Sequence, residues 1–302
     1  MAKIILAGGS GFLGQILSRH YRDKGDKVVV LTRHPHTSTN GVLQVDWDAK
    51  NLGNWISHLD NSDILINLTG KSVNCRYNAQ NKKEIFASRL DATRVLGKAL
   101  QLVPHPPQTW INAASATIYR HAEDCPQDEF TGEFGTGFSV EVCRQWEETF
   151  FSQETPGTRK IALRLAIVLG KNGGVMPYFH NLAKFGLGGK QGNGQQYFSW
   201  VHEQDVTGII DFLVSHPELE GVFNVSAPNP VPNYAFMQAV RKVVKAPFGL
   251  DTPKWLLQMG SVFIGTETEL ILKSRWVLPR RLTEAGYRFA VPNINVALAA
   301  CV

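Results

Sequence analysis

The amino-terminal segment contains a run of glycines that is suited to holding phosphate groups. Gly8, Gly11 and Gly14 recur at every third position, and Gly9 adds a further glycine to the segment 8–14. Glycine admits positive φ angles and lacks the Cβ atom that would obstruct a pyrophosphate. A helix that begins at such a turn directs unpaired N–H groups and the positive end of its dipole toward bound phosphates.

The flanking residues place this turn between a strand and a helix. Apolar stretches cover residues 3–7 and 27–31, and Gly25 stands where a helix between them would end. The apolar residues that recur at helical spacing after the turn are Phe12, Leu13, Ile16, Leu17 and Tyr21. This βαβ context favours dinucleotide binding over an ordinary glycine turn. The predicted contact residues are Gly8, Gly9, Ser10, Gly11, Phe12, Leu13 and Gly14.

The end of the second predicted strand indicates which dinucleotide is bound. NAD sites carry a carboxylate about 20 residues after the glycines, where it accepts hydrogen bonds from the ribose hydroxyls. Here that place holds Thr32 and Arg33, with no carboxylate. The Arg33 guanidinium is suited to a 2′-phosphate, and Thr32 adds a hydroxyl. We therefore predict NADP(H), with a solvated arginine at a strand end as the alternative.

Strand and helix patterns continue to alternate along the chain. The predicted strands cover residues 41–45, 63–68, 110–114, 160–165 and 222–225, and the predicted helices cover 51–59, 80–102, 140–151, 203–215 and 234–245. Such alternation predicts an α/β fold, a Rossmann-type doubly wound parallel sheet. Ligands would bind at the carboxyl ends of its strands.

We divide the chain into two predicted domains. Residues 1–226 form the Rossmann NADP-binding domain, and residues 227–302 form a smaller, mostly helical C-terminal domain on the substrate side. Within the first domain, glycines are frequent between positions 170 and 194, and aromatic residues flank them. We predict that residues 170–200 are a loop-rich cover over the site.

Composition is that of an ordinary globular enzyme, with 302 residues, 43% apolar, 19% charged and a net charge of +5. We interpret the basic residues Lys273, Arg275, Arg280, Arg281 and Arg288 as a solvated face, not a nucleic-acid site. The four cysteines form no C-x-x-C pair, which argues against a metal site or a disulfide framework. No apolar run is long enough to span a bilayer, and the N-terminus has no signal-peptide layout. We expect a cytoplasmic monomer or homodimer with no membrane or nucleic-acid partner.

Short motifs distributed along nearly the whole chain carry a family resemblance. Beside the glycine turn they are Asn67-Leu68-Thr69-Gly70, Ser88-Arg89, Ser115-Ala116, Trp146-Glu147, Arg164, Val168-Leu169-Gly170, Ser199-Trp200-Val201-His202 and Val277-Leu278-Pro279-Arg280-Arg281-Leu282. In order and spacing they resemble an extended short-chain dehydrogenase/reductase of the NAD-dependent epimerase/dehydratase kind, in an atypical branch labelled epimerase-family protein. The resemblance implies that NADP(H) also contacts Leu68, Thr69, Gly70, Glu84 and Arg89. Alternatively, Arg89 holds the nearby loop by a hydrogen bond, or Glu84 and Arg89 are simply charged residues on a surface helix.

The resemblance also implies a catalytic residue, Ser115, which would polarise the substrate oxygen. The family's Tyr-x-x-x-Lys should follow about two dozen residues later, but Ser139 or Val140 stands in place of the tyrosine. Three residues are conceivable substitutes, and each also has a structural interpretation. Tyr119 would pack a loop, Cys143 would be an inert buried thiol, and His202 would fix the loop before a helix.

Two functions remain open on the sequence alone. The first is an NADP(H)-dependent oxidoreductase or epimerase that acts on an unknown small substrate, such as a sugar nucleotide. The second is an NADP(H)-binding protein without turnover that acts as a regulatory or structural partner. The glycine-rich segment with its aromatic flanks favours the enzyme, because a hydride step needs a site that excludes water. The missing tyrosine favours the binding protein. Lys71 is a further departure from the pattern that the family resemblance implies, because relatives carry an acidic residue after Gly70.

Overall fold

A parallel sheet forms the centre of the structure. The computed structural model describes residues 1–36, 41–257 and 269–302, and among these a seven-stranded sheet has the order β10-β6-β5-β4-β1-β2-β3. Its strands are β1 (Lys3–Ala7), β2 (Lys27–Thr32), β3 (Val42–Asp46), β4 (Ile64–Asn67), β5 (Thr109–Ser115), β6 (Arg159–Leu165) and β10 (Gly221–Val225). The shorter strands are β7 (Ile167–Leu169), β8 (Tyr197–Phe198), β9 (Trp200–His202) and β11 (Val231–Pro232). Every pairing within the seven-stranded sheet is parallel.

Helices cover both faces of the sheet. They are α1 (Phe12–Asp23), α2 (Ala79–Leu100), α3 (Phe138–Phe151), α4 (Met176–Lys184), α5 (Glu203–Ser215), α6 (Asn233–Val244), α7 (Glu269–Leu272), α8 (Arg280–Glu284) and α9 (Ile294–Ala300). Residues 254–257 are also helical. α1 and α5 pack on one face of the sheet, and α2 and α3 pack on the other. The prediction of a Rossmann-type doubly wound sheet is therefore confirmed.

The strand β1 shows why this sheet forms. Ile4, Ile5, Leu6 and Ala7 are all fully buried, as expected for a strand covered on both faces. Ile4 and Leu6 contribute to the core beneath α1 and α5, whereas Ile5 and Ala7 contribute to the core beneath α2 and α3. This alternation follows from the two-residue period of a strand.

The structure refines two sequence predictions of secondary structure. The short helix predicted over residues 51–59 is a 3₁₀ helix, Asn54–His58, anchored by the buried side chain of Trp55. The segment 170–200, predicted to be loop-rich, consists mostly of turns and irregular backbone, but it also contains the helix α4 and the short strand β8. The glycines at 174 and 186 lie outside α4, and Met176 and Ala183 are buried on one of its faces two turns apart. Glycine frequency around the helix obscured this apolar periodicity.

Within the described ranges, each helix is either too short or too polar to cross a bilayer. The carboxyl-terminal part has its own apolar core, which α6 and α9 share with α4 and β9. Phe236 and Met237 of α6 and Leu298 of α9 are fully buried in it. The helix α4 and the strand β9 are thus packed against the helices α6 and α9.

A buried ion pair joins α3 to the sheet. The Arg164 guanidinium donates from Nε and Nη2 to the two Glu147 carboxylate oxygens, at 2.8 and 2.7 Å. Burial would lower the pKa of Arg164, but the hydrogen bonds with Glu147 raise it above its usual range. Arg164 Nη1 also donates to the Tyr119 hydroxyl, which donates in turn to Asn224 Oδ1. These contacts connect α3, β6 and β10 with the segment that follows β5.

Removing one member of this pair would leave a buried charge without its partner. We expect Glu147→Ala to lower the free energy of unfolding by about 3 kcal/mol or more, measured by urea denaturation. Glu284→Ala is the matched control, because it removes an exposed ion pair with Arg280 and should change stability little. Equal effects of the two substitutions would contradict a structural role for the buried pair.

Candidate active site

The glycine turn lies between β1 and α1, where strand and helix backbones touch. Gly8 has φ of +73°, and its N–H donates to Leu31 O at 2.9 Å. A Cβ atom on Gly14 would lie 2.2 Å from the carbonyl oxygen of Gly9. Gly8 is therefore required by the turn conformation, and Gly14 by the close packing of α1 on the turn.

Gly11 has a different environment from its neighbours. It is the N-cap of α1, and no side chain caps this helix terminus. A Cβ atom on Gly11 would meet no protein atom within 4 Å. The side of the turn that bears Gly11 thus faces open space next to a helix N-terminus, which is a suitable position for a phosphate group.

The loop after β4 completes this edge of the site. Leu68 N–H donates to Ala7 O at 2.8 Å, and Thr69 N–H donates to Asn67 Oδ1 at 3.1 Å. Thr69 Oγ1 is buried, lies beside Gly8 and has no hydrogen-bond partner within the described part of the chain. A buried hydroxyl without a partner is costly unless a ligand satisfies it. These residues fit a bound dinucleotide.

Arg89 holds this loop in place. Its Nη1 donates to the carbonyl oxygens of Lys71 and Ile85, both at 3.1 Å. Lys71 N–H donates to Ser88 Oγ, and a Cβ atom on Gly70 would lie 2.9 Å from the Arg89 guanidinium carbon. Arg89 therefore has the loop-pinning role that the sequence left as an alternative.

Glu84 is engaged by its neighbours on the same side of the site. Its carboxylate accepts hydrogen bonds from Lys71 Nζ and from Gln80 Nε2. The hydrogen bond from Lys71 lowers the pKa of Glu84. Lys71, which departs from the family pattern, thus forms an ion pair with Glu84 on α2.

A cleft of about 630 Å³ opens beside the end of β2. Thr32 and His34 lie in its wall, while Arg33 between them is exposed. Its lining residues are Gly9, Ser10, Gln15, Ser18, Arg19, Arg22, Val30, Thr32, His34, His36, Val42 and Gln44. We call this the dinucleotide cleft.

Sequence reasoning missed the basic residues that α1 contributes to the dinucleotide cleft. Gln15, Ser18, Arg19 and Arg22 share one face of α1 by their spacing of three and four residues. Arg22 pairs with Asp23, whereas Arg19 forms no hydrogen bond or ion pair with another described residue. This polar stripe, opposite the apolar face of α1, is the signal that could have identified Arg19.

The glycine-rich segment begins against the dinucleotide turn. Cβ atoms on Gly170, Gly173 and Gly174 would each lie 2.8–3.0 Å from the ring of Phe12. These glycines therefore let the chain approach the first residue of α1 closely. Of the predicted cover, residues 170–200, the glycines Gly170, Gly173 and Gly174 contact the glycine turn, and the helix α4 follows them.

Ser115 ends β5, at the same edge of the sheet as the glycine turn. Its Oγ accepts a hydrogen bond from Thr117 N–H at 3.2 Å, and the side chain of Cys143 from α3 lies close to it. Burial raises the pKa of the Cys143 thiol to about 11. Ser115 thus has a fixed hydroxyl beside a thiol that stays protonated at neutral pH.

Two basic residues from the C-terminal part contact Thr117, two residues after Ser115. Lys273 Nζ donates to Thr117 O at 2.8 Å, and Arg275 Nε donates to Thr117 Oγ1 at 3.4 Å. Arg275 is only 9% exposed, and Lys273 is half-buried. The interpretation of these two residues as part of a solvated face is therefore wrong. Arg281 also departs from it, because its guanidinium donates to Val222 O and packs over Phe223.

Lys273 also lines a second cleft, of about 720 Å³. Its lining residues are Arg120, His121, Phe134, Gly135, Thr136, Lys254, Glu269, Leu272 and Lys273. We call it the basic cleft, because three of its side chains are those of arginine or lysine and one is a carboxylate. The segment after Ser115 therefore borders on a cleft with positive charge.

The three conceivable proton donors occupy structural positions. Tyr119 is 1% exposed, and burial raises its pKa. His202 is the N-cap of α5, where its Nδ1 accepts a hydrogen bond from Gln204 N–H at 3.3 Å. Burial lowers the pKa of His202, so the neutral ring suits this capping role. The packing role of Tyr119, the inert thiol and the capping role of His202 agree with the structural interpretations of the sequence.

A doubly wound sheet with an open glycine turn at its carboxyl edge defines a dinucleotide-binding protein of the Rossmann type. Residues 4–226 match the NAD dependent epimerase/dehydratase family, and residues 252–301 match DUF1731, a domain of unknown function. The chain therefore belongs to the NAD-dependent epimerase/dehydratase family.

Individual relatives resemble the chain over its full length. Mouse epimerase family protein SDR39U1 is 30% identical over 302 residues, which cover 98% of each chain. The crystal structure of human SDR39U1 (isoform 2) with NADPH has a TM-score of 0.88 at 27% identity, and the match covers 99% of this chain and 98% of that one. A nucleoside-diphosphate sugar epimerase from Corynebacterium glutamicum has a TM-score of 0.79 at 26% identity, over 99% of this chain and 58% of its own.

The open space at Gly11 provides a test of the dinucleotide site. We expect Gly11→Val to fold but to lose detectable NADPH binding, because the added side chain occupies the space beside the helix N-terminus. Binding is measured by the thermal shift that NADPH produces, since a ligand raises the stability of the state it binds. Gly53→Ala is the control, because its Cβ atom would make only ordinary contacts with Trp55. An undiminished NADPH shift in Gly11→Val would refute the assignment.

Proposed function

We propose that this protein is an NADP(H)-dependent oxidoreductase or epimerase of the extended short-chain dehydrogenase/reductase type, acting on a small anionic substrate such as a sugar nucleotide. One observation carries the proposal. The open glycine turn and the fixed hydroxyl of Ser115 lie at the same carboxyl edge of one parallel sheet, where such folds bind ligands.

The preference for NADP(H) is supported by charge at the end of β2. Thr32 and Arg33 stand where an NAD site would carry a carboxylate. Arg19, which lines the dinucleotide cleft, adds a guanidinium to the one at Arg33, and neither of these two arginines forms a hydrogen bond or ion pair with another described residue. Two such cations suit the added negative charge of a 2′-phosphate. The structure of human SDR39U1 with NADPH supports the same choice.

The chemistry at Ser115 follows from its fixed position. A bound nicotinamide supplies or accepts a hydride. The Ser115 hydroxyl accepts from Thr117 N–H, so its own hydrogen remains available to the oxygen of a carbonyl or carbinol group. A hydrogen bond of this kind stabilises the charge that develops on oxygen as hydride moves.

The basic cleft accounts for the substrate class. Lys273 joins this cleft to the segment that carries Ser115, and Arg120 and Lys254 add positive charge to its wall. Arg120 is already paired with Asp124 and Glu133, so Lys254 and Lys273 are the cations of this cleft that we expect to bind a ligand. A phosphate or carboxylate group in this cleft would place the rest of the substrate beside Ser115.

A binding protein without turnover is the second candidate. The observation that favours it is α3, where Ser139 or Val140 stands in place of the tyrosine and Cys143 or Arg144 in place of the lysine. In that case the dinucleotide would stabilise the fold while another surface contacts a partner. The two candidates share the cofactor site and differ in whether Ser115 affects a reaction rate.

The 2′-phosphate assignment is tested by reversing the charge at position 33. We expect Arg33→Asp to weaken NADPH binding by about tenfold to a hundredfold, because an ionic hydrogen bond is replaced by repulsion. NADH binding should change little. Fluorescence titration of both dinucleotides measures this, with Arg288→Asp as a charge-matched control outside the proposed site. Equal affinity for NADPH in the variant and the wild type would rule out Arg33 as the phosphate ligand.

Ser115 decides between an enzyme and a binding protein. The assay is NADPH oxidation with a set of aldehydes, ketones and oxidised sugar nucleotides. We expect Ser115→Ala to slow turnover by about a hundredfold while leaving NADPH affinity nearly unchanged. Ser57→Ala is the matched control, because it removes an exposed serine hydroxyl that lines neither cleft. An unchanged rate in Ser115→Ala would remove Ser115 from the mechanism.

A further inference from the structure

Tyr77 brings a phenol into the site from an element that the sequence analysis did not consider. It lies between β4 and α2, directly before Asn78, the N-cap of α2. Its ring packs edge-on against Phe138, the first residue of α3, with the ring centres 4.7 Å apart. Its hydroxyl lies 3.3 Å from Ser139 Oγ.

The helix α3 connects this phenol to Ser115. Ser139 and Cys143 are one turn apart and therefore share a face of α3. Ser139 contacts the Tyr77 hydroxyl, and Cys143 lies close to the Ser115 side chain. The Tyr77 and Ser115 hydroxyls thus border the same face of one helix.

Among the described residues, the charged groups near this face are the cations Arg89, Lys273 and Arg275 and the carboxylates Glu147 and Glu269. Arg89 and Arg275 both interact electrostatically with Tyr77. Lys273 and Arg275 also act on Cys143, while Glu269 accepts a hydrogen bond from Ser139 Oγ at 3.3 Å. Nearby positive charge stabilises a phenolate relative to a phenol. This is the condition under which a tyrosine can transfer a proton near neutral pH.

We propose that Tyr77 is the group that exchanges a proton with the substrate oxygen held by Ser115. This proposal rests on the proposed oxidoreductase or epimerase function. In a reduction, the carbonyl carbon gains a hydride from NADPH and its π electrons move to oxygen. That oxygen takes the Tyr77 proton, and the phenolate regains a proton from water. Oxidation of an alcohol by NADP⁺ follows the reverse course.

Other candidate donors near this face are less suited. The Cys143 thiol has a pKa raised by burial and is fully enclosed. Tyr119 is 1% exposed, so its hydroxyl is out of reach of a substrate. Tyr77 is half-buried, so a small reagent can reach it.

The first test asks whether the Tyr77 phenol is activated in the dinucleotide-free protein. Tetranitromethane nitrates tyrosine as the phenolate, and peptide mass spectrometry locates the product among the seven tyrosines. At about pH 7, we expect Tyr77 to be nitrated several-fold faster than Tyr234, which is 48% exposed and serves as the internal control. Nitration of Tyr77 that is no faster than that of Tyr234 would overturn the proposal.

The second test uses turnover of NADPH with 9,10-phenanthrenequinone, a small diketone. Tyr77→Phe keeps the ring contact with Phe138 and removes the hydroxyl, so NADPH affinity should be unchanged. We expect its rate to fall about a hundredfold or more, while Tyr234→Phe retains the wild-type rate. A wild-type rate in Tyr77→Phe would also overturn the proposal. No NADPH oxidation by the wild-type protein with any carbonyl substrate would instead contradict the proposed function, and nitration would still decide whether Tyr77 is activated.

Discussion

The contact between the backbones of Gly9 and Gly14 is the constraint on which the site depends. A side chain at position 14 would push α1 away from the turn, because its Cβ atom would overlap the Gly9 carbonyl. With α1 seated closely, its N-terminus points into the space at Gly11 and its polar face forms the wall of the dinucleotide cleft. The cofactor site is therefore a consequence of how tightly one helix packs on one turn.

Buried polar contacts fix the other parts of the site relative to this turn. Asn67 donates to Asn112 Oδ1 at 2.7 Å across neighbouring strands, and Trp146 Nε1 donates to Thr93 Oγ1 between α3 and α2. Arg164 connects α3 to the sheet, as described above. The family motifs found in the sequence thus include residues that hold strand ends and helices together. Their side chains are buried and hydrogen-bonded, and such networks make one arrangement of the elements strongly preferred.

Local patterns in the sequence predict those elements whose conformation depends on neighbouring residues. The helix Glu203–Ser215 and the glycine turn were predicted correctly, because hydrophobic periodicity and glycine spacing report on neighbouring residues. Contacts between distant residues leave no such pattern. Tyr77 meets Ser139 across 62 positions, and Lys273 reaches Thr117 across 156. The basic residues near the C-terminus therefore resembled a solvated surface in the sequence, although two of them contact Thr117 in the fold.

The central claim is that the glycine turn and the cations beside β2 together bind a phosphorylated dinucleotide. Isothermal titration calorimetry of the wild-type protein with NADPH and with NADH tests it most directly. The account predicts saturable binding of one NADPH per chain, about tenfold or more tighter than binding of NADH. Absence of binding by either dinucleotide at millimolar concentration, or tighter binding of NADH, would contradict it.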